Sequence, residues 1–580
     1  MFLFKKSSFA SVFCLLLIIT LISPMLLEPI AAVAATSSSW SKKLDKDIDW
    51  IIQTEFDVLL VGSNKKLYAI SERRGEQLWS IEIGSEIGRT DVTLIDGTDI
   101  VLVNREIDKE KSSYKLEAYE VITGTKIWGN NLIKGRGIDI LPLLSKNSFL
   151  YLIDKDENDK VRPHLYNFDI YTGKITWESE FSSSFNGTKS SGFWVFGNNY
   201  DVSGFYPPVF INNEIFFFYD GVRSFDYKTG KQLWYASYTL NKEEDLLRTD
   251  ADPIITDSTI YTSGAGVLRA INRKDGNVIW TSEDFGVVIP LMYYDNGHIY
   301  AQCGGTFIKP NLSSTRDIDQ VGVFAIDAKT GSTLWKFWNC QTPVSNISFA
   351  KDKIFLADKV SLIAIDKKTG KDTYKTTLDF LNPVVTAVYD KNNTVIVRSG
   401  QKVASYDIDS GHKVWINGFK EQPPGFLDKV SNRLLIGAAI IVFTGGLATP
   451  LLLGSYIAYD VNRTINRNAA EDRLCRQAEE TKIFWGNAKS YRNSPGFLKA
   501  VEIRNERLEL LTKQKKAYFY VYGEDEKNSD IKGVGGVNLD TGKMDFKADL
   551  GNDKPAYFYD RIYGLLFYTD GQNLSAYKIY

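Results

Sequence analysis

Phe225-Asp226-Tyr227-Lys228-Thr229-Gly230-Lys231-Gln232-Leu233-Trp234 is the stretch whose reading decides the fold. Apolar and polar residues alternate on both sides of a Lys-Thr-Gly turn, as in two half-buried strands. Asp226 and Gly230 suit a hairpin loop with one residue at positive φ, which glycine adopts without steric cost. The tryptophan four residues after the glycine then lies on the outgoing strand.

The same unit recurs nine times, at Gly75/Trp79, Gly124/Trp128, Gly173/Trp177, Gly230/Trp234, Gly276/Trp280, Gly331/Trp335, Gly370/Tyr374, Gly411/Trp415 and Gly542/Phe546. Self-similarity at a period of about 40–50 residues marks a solenoid or a propeller, and β-rich units with turn glycines select the propeller. A large ring on the outgoing strand can fill the wedge between neighbouring blades, where its burial is worth roughly 2–4 kcal/mol. Trp79, Trp128, Trp177, Trp234, Trp280, Trp335 and Trp415 are therefore expected to pack the repeat rather than to stack on a ligand.

The chain ends complete the count. Leu574 to Tyr580 begins a tenth unit and stops before its Gly-x-x-x-Trp half, and Ser39-Trp40-Ser41-Lys42-Lys43-Leu44 resembles that missing half. Joining first and last strands in one blade removes a free sheet edge. The expected fold is all-β: a propeller of eight to ten blades, with ten repeat units counted and an apolar helical insertion.

Asp-Ala-Lys-Thr-Gly-Ser-Thr-Leu-Trp at 327–335 and Asp-Lys-Lys-Thr-Gly at 366–370 resemble the quinoprotein-type, pyrroloquinoline-quinone-like β-propeller repeat. That family includes alcohol dehydrogenases and an outer-membrane assembly lipoprotein. The resemblance implies the fold but not one activity, because the same propeller serves catalysis and protein binding. The dehydrogenases use an adjacent Cys–Cys disulfide, an acidic base and a Ca²⁺ held by Glu and Asn. No Cys-Cys pair occurs here, so that site is not carried over, and no cofactor is expected.

Other chemistry is sparse. His164, His298 and His412 are scattered, and no zinc, haem or phosphate-loop spacing is present. Asp154, Asp156, Glu157 and Asp159 form an acidic run without the loop glycine and terminal Glu of an EF-hand, which reads as a solvated hairpin tip. Cys303 and Cys340 flank one repeat; they either pair in an oxidising compartment or remain as buried thiols.

The 580 residues carry 69 basic and 71 acidic side chains, so no strong field attracts nucleic acid. Residues 1–35 read as a signal peptide, with Lys5-Lys6, an apolar run from Phe9 to Ser23, and Ala32-Val33-Ala34 as a cleavage site. Propeller repeats one to eight are expected over 36–425 and repeats nine and ten over 516–580, the latter closing on the N-terminal strand. Between them, 426–515 is an insertion whose Leu434–Tyr459 stretch holds 26 residues without a charge.

About 20 apolar residues can cross a bilayer. A single crossing would divide the propeller between two sides, whereas a re-entrant hairpin turning at Gly445-Gly446 and Pro450 would keep it on one; both geometries stay open. Asn462 to Trp485 reads as a polar helix, while the stretch beyond Ser494-Pro495 fits either helix or strand.

The expected function is a non-enzymatic, membrane-associated, extracytoplasmic propeller at the cell membrane. It would bind another envelope protein as scaffold or sensor and touch lipid through 434–459. The alternatives are a quinone-dependent oxidoreductase with a degenerate cofactor site and a polymer- or carbohydrate-binding envelope protein.

Overall fold

The computed structural model describes residues 32–34, 38–180, 206–238, 250–419, 482–487 and 494–578, apart from short stretches within these ranges. The expected stretch 434–459 lies outside the described residues, as do residues 1–31 of the expected leader. Among the described residues no helix is long and apolar enough to cross a membrane.

The described strands form ten four-stranded sheets, one for each repeat unit, and the chain is a β-propeller. Blades 1 to 8 follow the chain at 50–82, 92–134, 136–180, 206–236, 254–281, 291–337, 348–377 and 385–418, each an antiparallel meander. Blade 9 takes three strands from Lys516–Tyr522, Ile531–Asn538 and Met544–Asp549, with Ala32–Ala34 in parallel along its outer edge. Blade 10 combines Phe558–Asp560, Leu565–Asp570 and Asn573–Lys578 with the N-terminal strand Trp40–Lys43. In that last pairing Trp40 faces Ala576 and Ser41 faces Ser575 across antiparallel strands.

Alternation along the inner strands places aliphatic and aromatic side chains on both faces of each sheet, and the core is a set of seams between blades. Phe216 and Phe218 of blade 4 meet Ile260 and Ile271 of blade 5. Phe355 and Leu362 of blade 7 meet Val388 and Val395 of blade 8. Val403 of blade 8 meets Phe519 and Val537 of blade 9, and Phe567 and Leu574 of blade 10 meet Leu59 and Val61 of blade 1.

The outer strands add a second bond between blades. From Trp40 to Trp415 the repeat aromatic lies on the turn glycine of the following blade: Trp40 on Gly75, Trp79 on Gly124, Trp128 on Gly173 and Trp177 on Gly230. The series continues with Trp234 on Gly276, Trp280 on Gly331, Trp335 on Gly370, Tyr374 on Gly411 and Trp415 on Gly542. A Cβ at any of these glycines would fall 2.3 to 2.7 Å from the aromatic ring. Their φ angles also lie between +66° and +76°, so glycine is required twice over.

The indole N–H usually donates to the carbonyl three residues before that glycine. Trp40 reaches Glu72 at 2.8 Å, Trp79 reaches Val121 at 2.8 Å, Trp128 reaches Ile170 at 2.7 Å and Trp177 reaches Tyr227 at 2.7 Å. Trp280 and Trp335 bond Ala328 and Lys367 at 3.1 and 3.0 Å, and the Tyr374 hydroxyl donates to Ile408 at 3.1 Å. Trp234 breaks the pattern, because its buried N–H has no hydrogen-bond partner among the described residues.

Cys303 and Cys340 do not pair; both are free thiols. They occupy opposite faces of blade 6, Cys303 with Leu268 and Phe285 on the blade 5 side and Cys340 against Phe349 and Ile354 on the blade 7 side. The sheet itself stands between them. Burial pushes both thiols well above their ordinary range, to about 12 for Cys340.

The stapling geometry predicts unequal costs for one substitution. Trp177→Phe removes a bonded N–H and orphans the Tyr227 carbonyl, which should cost about 1–3 kcal/mol. Trp234→Phe removes an unpartnered donor and should be close to neutral. Urea unfolding of the two variants checks this; equal losses would show that the N–H bond does not distinguish the two staples.

Candidate functional site

The turn that precedes each outer strand normally caps itself. Asp169, Asp226, Asp327, Asp366, Asp407 and Asn538 each accept, through Oδ1, the backbone N–H of the Thr or Ser three residues on, at 2.7 to 3.0 Å. In the five aspartate turns the Thr or Ser hydroxyl donates to the same oxygen at 2.7 to 2.8 Å. These bonds hold Asp226, Asp327, Asp366 and Asp407 below the usual carboxylate range, the hydroxyl contributing most.

Blades 1 and 2 depart from this code. Blade 1 reads Ser71-Glu72-Arg73-Arg74-Gly75 and blade 2 reads Glu120-Val121-Ile122-Thr123-Gly124. On these two turns, and on their neighbours in blades 10 and 3, the end of the insertion is docked. A short helix over 482–487 and a long helix, Pro495–Lys513, lie across this rim of the propeller.

The long helix begins as its sequence directs. Ser494 is its N-cap, with Oγ accepting the Phe497 N–H at 3.2 Å, and Pro495 occupies the first helical position. Phe497, Ala500, Ile503 and Arg507 recur at helical spacing and are the buried face, so the alternation that also suited a strand gives way to the period of the helix. The Ser494 hydroxyl donates in turn to Glu120 of blade 2. Gly496 lets the helix approach, since a Cβ there would lie 2.3 Å from the Glu120 carboxylate.

Aromatic packing fixes the near end. Phe484, Trp485 and Phe497 join Phe56, Ile95, Val121 and Ile170 of blades 1 to 3 in one cluster. Trp485 stacks on Phe497 at 5.3 Å and donates its N–H to the Gly97 carbonyl at 2.8 Å, and Phe484 stacks on Tyr171 at 6.0 Å.

Charge fixes the far end. Arg507 Nη1 lies 2.7 Å from Asp560 of blade 10 and 3.6 Å from Glu72 of blade 1. Arg73 pairs with Asp57 of its own blade at 2.9 Å and with Glu506 of the helix at 3.1 Å. Both guanidiniums cover the Tyr563 ring of blade 10, at 4.6 Å for Arg73 and 5.0 Å for Arg507.

The two buried carboxyls titrate in opposite directions. Burial, and then the charge of Asp560, push Glu72 well above its ordinary range. Burial would raise Asp560 too, but the adjoining Arg507 outweighs it and holds Asp560 low. Glu72 therefore favours the protonated form and Asp560 the charged one.

The repeat tryptophans are spread one to a blade and do not converge on a site. The histidines are equally dispersed: His164 bonds Glu178 in blade 3 at 2.9 Å, His298 lies beside Tyr300 in blade 6, and His412 follows the blade 8 turn. Asp154, Asp156 and Glu157 sit near the end of the second strand of blade 3, where Glu157 pairs with Lys160 across the hairpin; Asp159 lies outside the described residues. Among the described residues no group of three or more His, Cys, Asp or Glu is placed to hold a metal ion. Glu72, Arg507 and Asp560 were not singled out by sequence reasoning, although the missing Asp and Thr of the blade 1 turn were a signal for them.

Ten sheets stapled by aromatic-on-glycine contacts, with Asp-x-x-Thr-Gly turns, define a propeller of PQQ-like repeats. Residues 112–283 and 320–491 match the family described as outer membrane protein assembly factor BamB, and the chain belongs to that family. It is also similar to the serine/threonine-protein kinase AfsK of Streptomyces griseus, 24% identical over 184 residues, and spans about a fifth of that protein's length. Among solved structures it is similar to BamB from Moraxella catarrhalis, with 14% identity over 64% of this chain and 97% of that one and a TM-score of 0.32. The quinohemoprotein alcohol dehydrogenase from Comamonas testosteroni gives 16% identity, 68% and 70% coverage, and a TM-score of 0.29. Likeness at these levels adds nothing about activity.

The opposed titrations give a pH prediction with a definite sign. The raised Glu72 leaves stability intact below its ordinary range and costs stability as pH rises through its folded-state value. The lowered Asp560 contributes above its own ordinary range and loses that contribution as pH falls through its folded-state value. Glu72→Gln should therefore flatten the decline of Tm on the alkaline side of the ordinary glutamate range while leaving the acid decline. Thermal melts across that range check it, and an unchanged alkaline slope would refute it.

Proposed function

We propose that the chain is a membrane-associated, extracytoplasmic β-propeller that binds another envelope protein and serves as a scaffold or sensor. One observation carries the reading: the propeller rim already holds a polypeptide. Two turns have exchanged their self-capping aspartate for groups that engage a helix, through Glu120 to Ser494 and Arg73 to Glu506. The turns of blades 3, 4, 6, 7 and 8 keep their aspartate caps, and the blade 4 to 6 and 8 outer strands expose Leu233, Ile279, Leu334 and Val414.

The family's association with outer membrane protein assembly agrees with a role in the envelope. A leader at 1–35 would agree with export, although Ala32–Ala34, its expected cleavage site, pairs with blade 9 in the structure, and the uncharged stretch 434–459 supports lipid contact, by a single span or a re-entrant hairpin. In this reading 36–425 and 516–580 are propeller, 426–515 is the membrane-linked insertion, and no cofactor or nucleic acid is required.

Deleting 434–459 should move the protein from the membrane fraction to the soluble extracytoplasmic fraction with its β-sheet circular dichroism retained. Photo-crosslinkers at Leu233, Leu334 and Val414 in intact cells should give discrete adducts with one envelope protein. A deletion variant that still sediments with membranes would overturn the membrane assignment. Quinone-dependent dye reduction by the purified chain, without adducts, would favour the oxidoreductase instead.

A further inference from the structure

Blade 10 differs from blades 1 to 8 in one physical respect: its outer strand is not joined to its sheet by a hairpin. Trp40–Lys43 comes from one end of the chain and Asn573–Lys578 from the other, and they share four partner pairs. Every other described connection between a third and a fourth antiparallel strand is a short turn, which keeps the strands at high local concentration. Here the closure entropy of a loop of over 500 residues opposes the pairing. The junction of blade 10 with blade 1 is thus the place where this propeller most needs a further bond.

The long helix supplies one. Arg507 touches blade 10 through Asp560 and blade 1 through Glu72. The backbone carbonyl of that same Glu72 accepts the Trp40 N–H, so Arg507 sits at the residue on which the N-terminal staple closes. Arg73 and Glu506 add a second tie, and Tyr563 lies under both guanidiniums. The groups facing Arg507 are Glu72, Asp57, Asp560, Tyr563 and Arg73; Arg73 is engaged by Asp57 and Glu506, and Arg507 is the cation in contact with Glu72 and Asp560. The other end of the helix is fixed on blades 2 and 3, and its last residue lies three before the first strand of blade 9.

We propose that helix Pro495–Lys513 is the latch of this junction, and that Arg507 is the residue that holds blade 10 to blade 1. Release of the helix frees the strand pair Trp40–Lys43 with Asn573–Lys578 ahead of the other blades. The insertion thereby gains control over whether the two chain ends stay joined. This device is independent of what the propeller binds.

The test is hydrogen exchange of the full-length protein carrying Arg507→Met, which keeps an unbranched apolar stem and removes the guanidinium and its charge. Amides of Trp40–Lys43 and Asn573–Lys578 should exchange at least tenfold faster, while Thr259–Asn272 in blade 5 and Lys353–Asp366 in blade 7 stay within twofold of the parent. Equal acceleration in all blades, or none in blade 10, would overturn the latch.

If Arg507→Met does not accumulate as folded protein, Ser41→Cys with Ser575→Cys offers a second arm. These positions face each other across the strand pair, with hydroxyls 3.0 Å apart. Their oxidation should restore folded Arg507→Met protein, and failure to restore it would equally contradict the proposal.

Discussion

An aromatic ring resting on a glycine of the next blade is the contact on which the rest of this structure depends. The glycine must lack a Cβ because the ring occupies that space, and it must take a positive φ because the turn reverses there. The indole N–H then satisfies a turn carbonyl that would otherwise be left against an apolar surface. Shape, backbone conformation and hydrogen bonding thus agree at one point, repeated around the propeller. That agreement explains why Gly-x-x-x-Trp persists while the residues between the two vary freely.

The turn that carries the glycine is also where the propeller holds the helix that follows its insertion. With Asp at its first position and Thr or Ser three residues later, the turn spends its polar groups on itself. When those residues change, as at Ser71 to Arg74 and at Glu120, the turn has groups to offer a helix. The change is not sufficient alone. Blade 5 reads Asn272-Arg273-Lys274-Asp275-Gly276, bonds its own backbone through Asn272 and Asp275, and carries no helix among the described residues, where the Trp234 N–H facing it also goes unpaired. Docking also needed the aromatic anchor of Phe484, Trp485 and Phe497.

Much of this was legible in the sequence. Spacing alone located the turns, the outer strands and the ten units, because a packing rule tied to one glycine and one ring leaves a fixed interval. The pairing of Trp40–Lys43 with the C-terminal strand followed from counting half-repeats. The long helix was not legible, since Ile503 to Leu511 satisfies two periods and only the Ser494 cap and the buried spacing from Phe497 to Arg507 decide between them. Whether Cys303 and Cys340 pair stayed open in the sequence, because proximity along the repeat does not reveal which face of a sheet each thiol takes. The Arg507 cluster joins residues more than 400 positions apart, and no local pattern encodes such a meeting.

The central claim, that ring and glycine form one interlocked unit, is tested most directly by a double-mutant cycle on Trp177 and Gly230. Alone, Gly230→Ala forces a Cβ to within 2.3 Å of the Trp177 ring and strains a φ of +68°. In a Trp177→Ala background the steric clash is gone and only the backbone strain remains. The account predicts that Gly230→Ala costs less there, with a coupling energy toward the upper end of the roughly 0.5–3 kcal/mol seen for residues in contact. Additive losses, with no coupling beyond error, would contradict it.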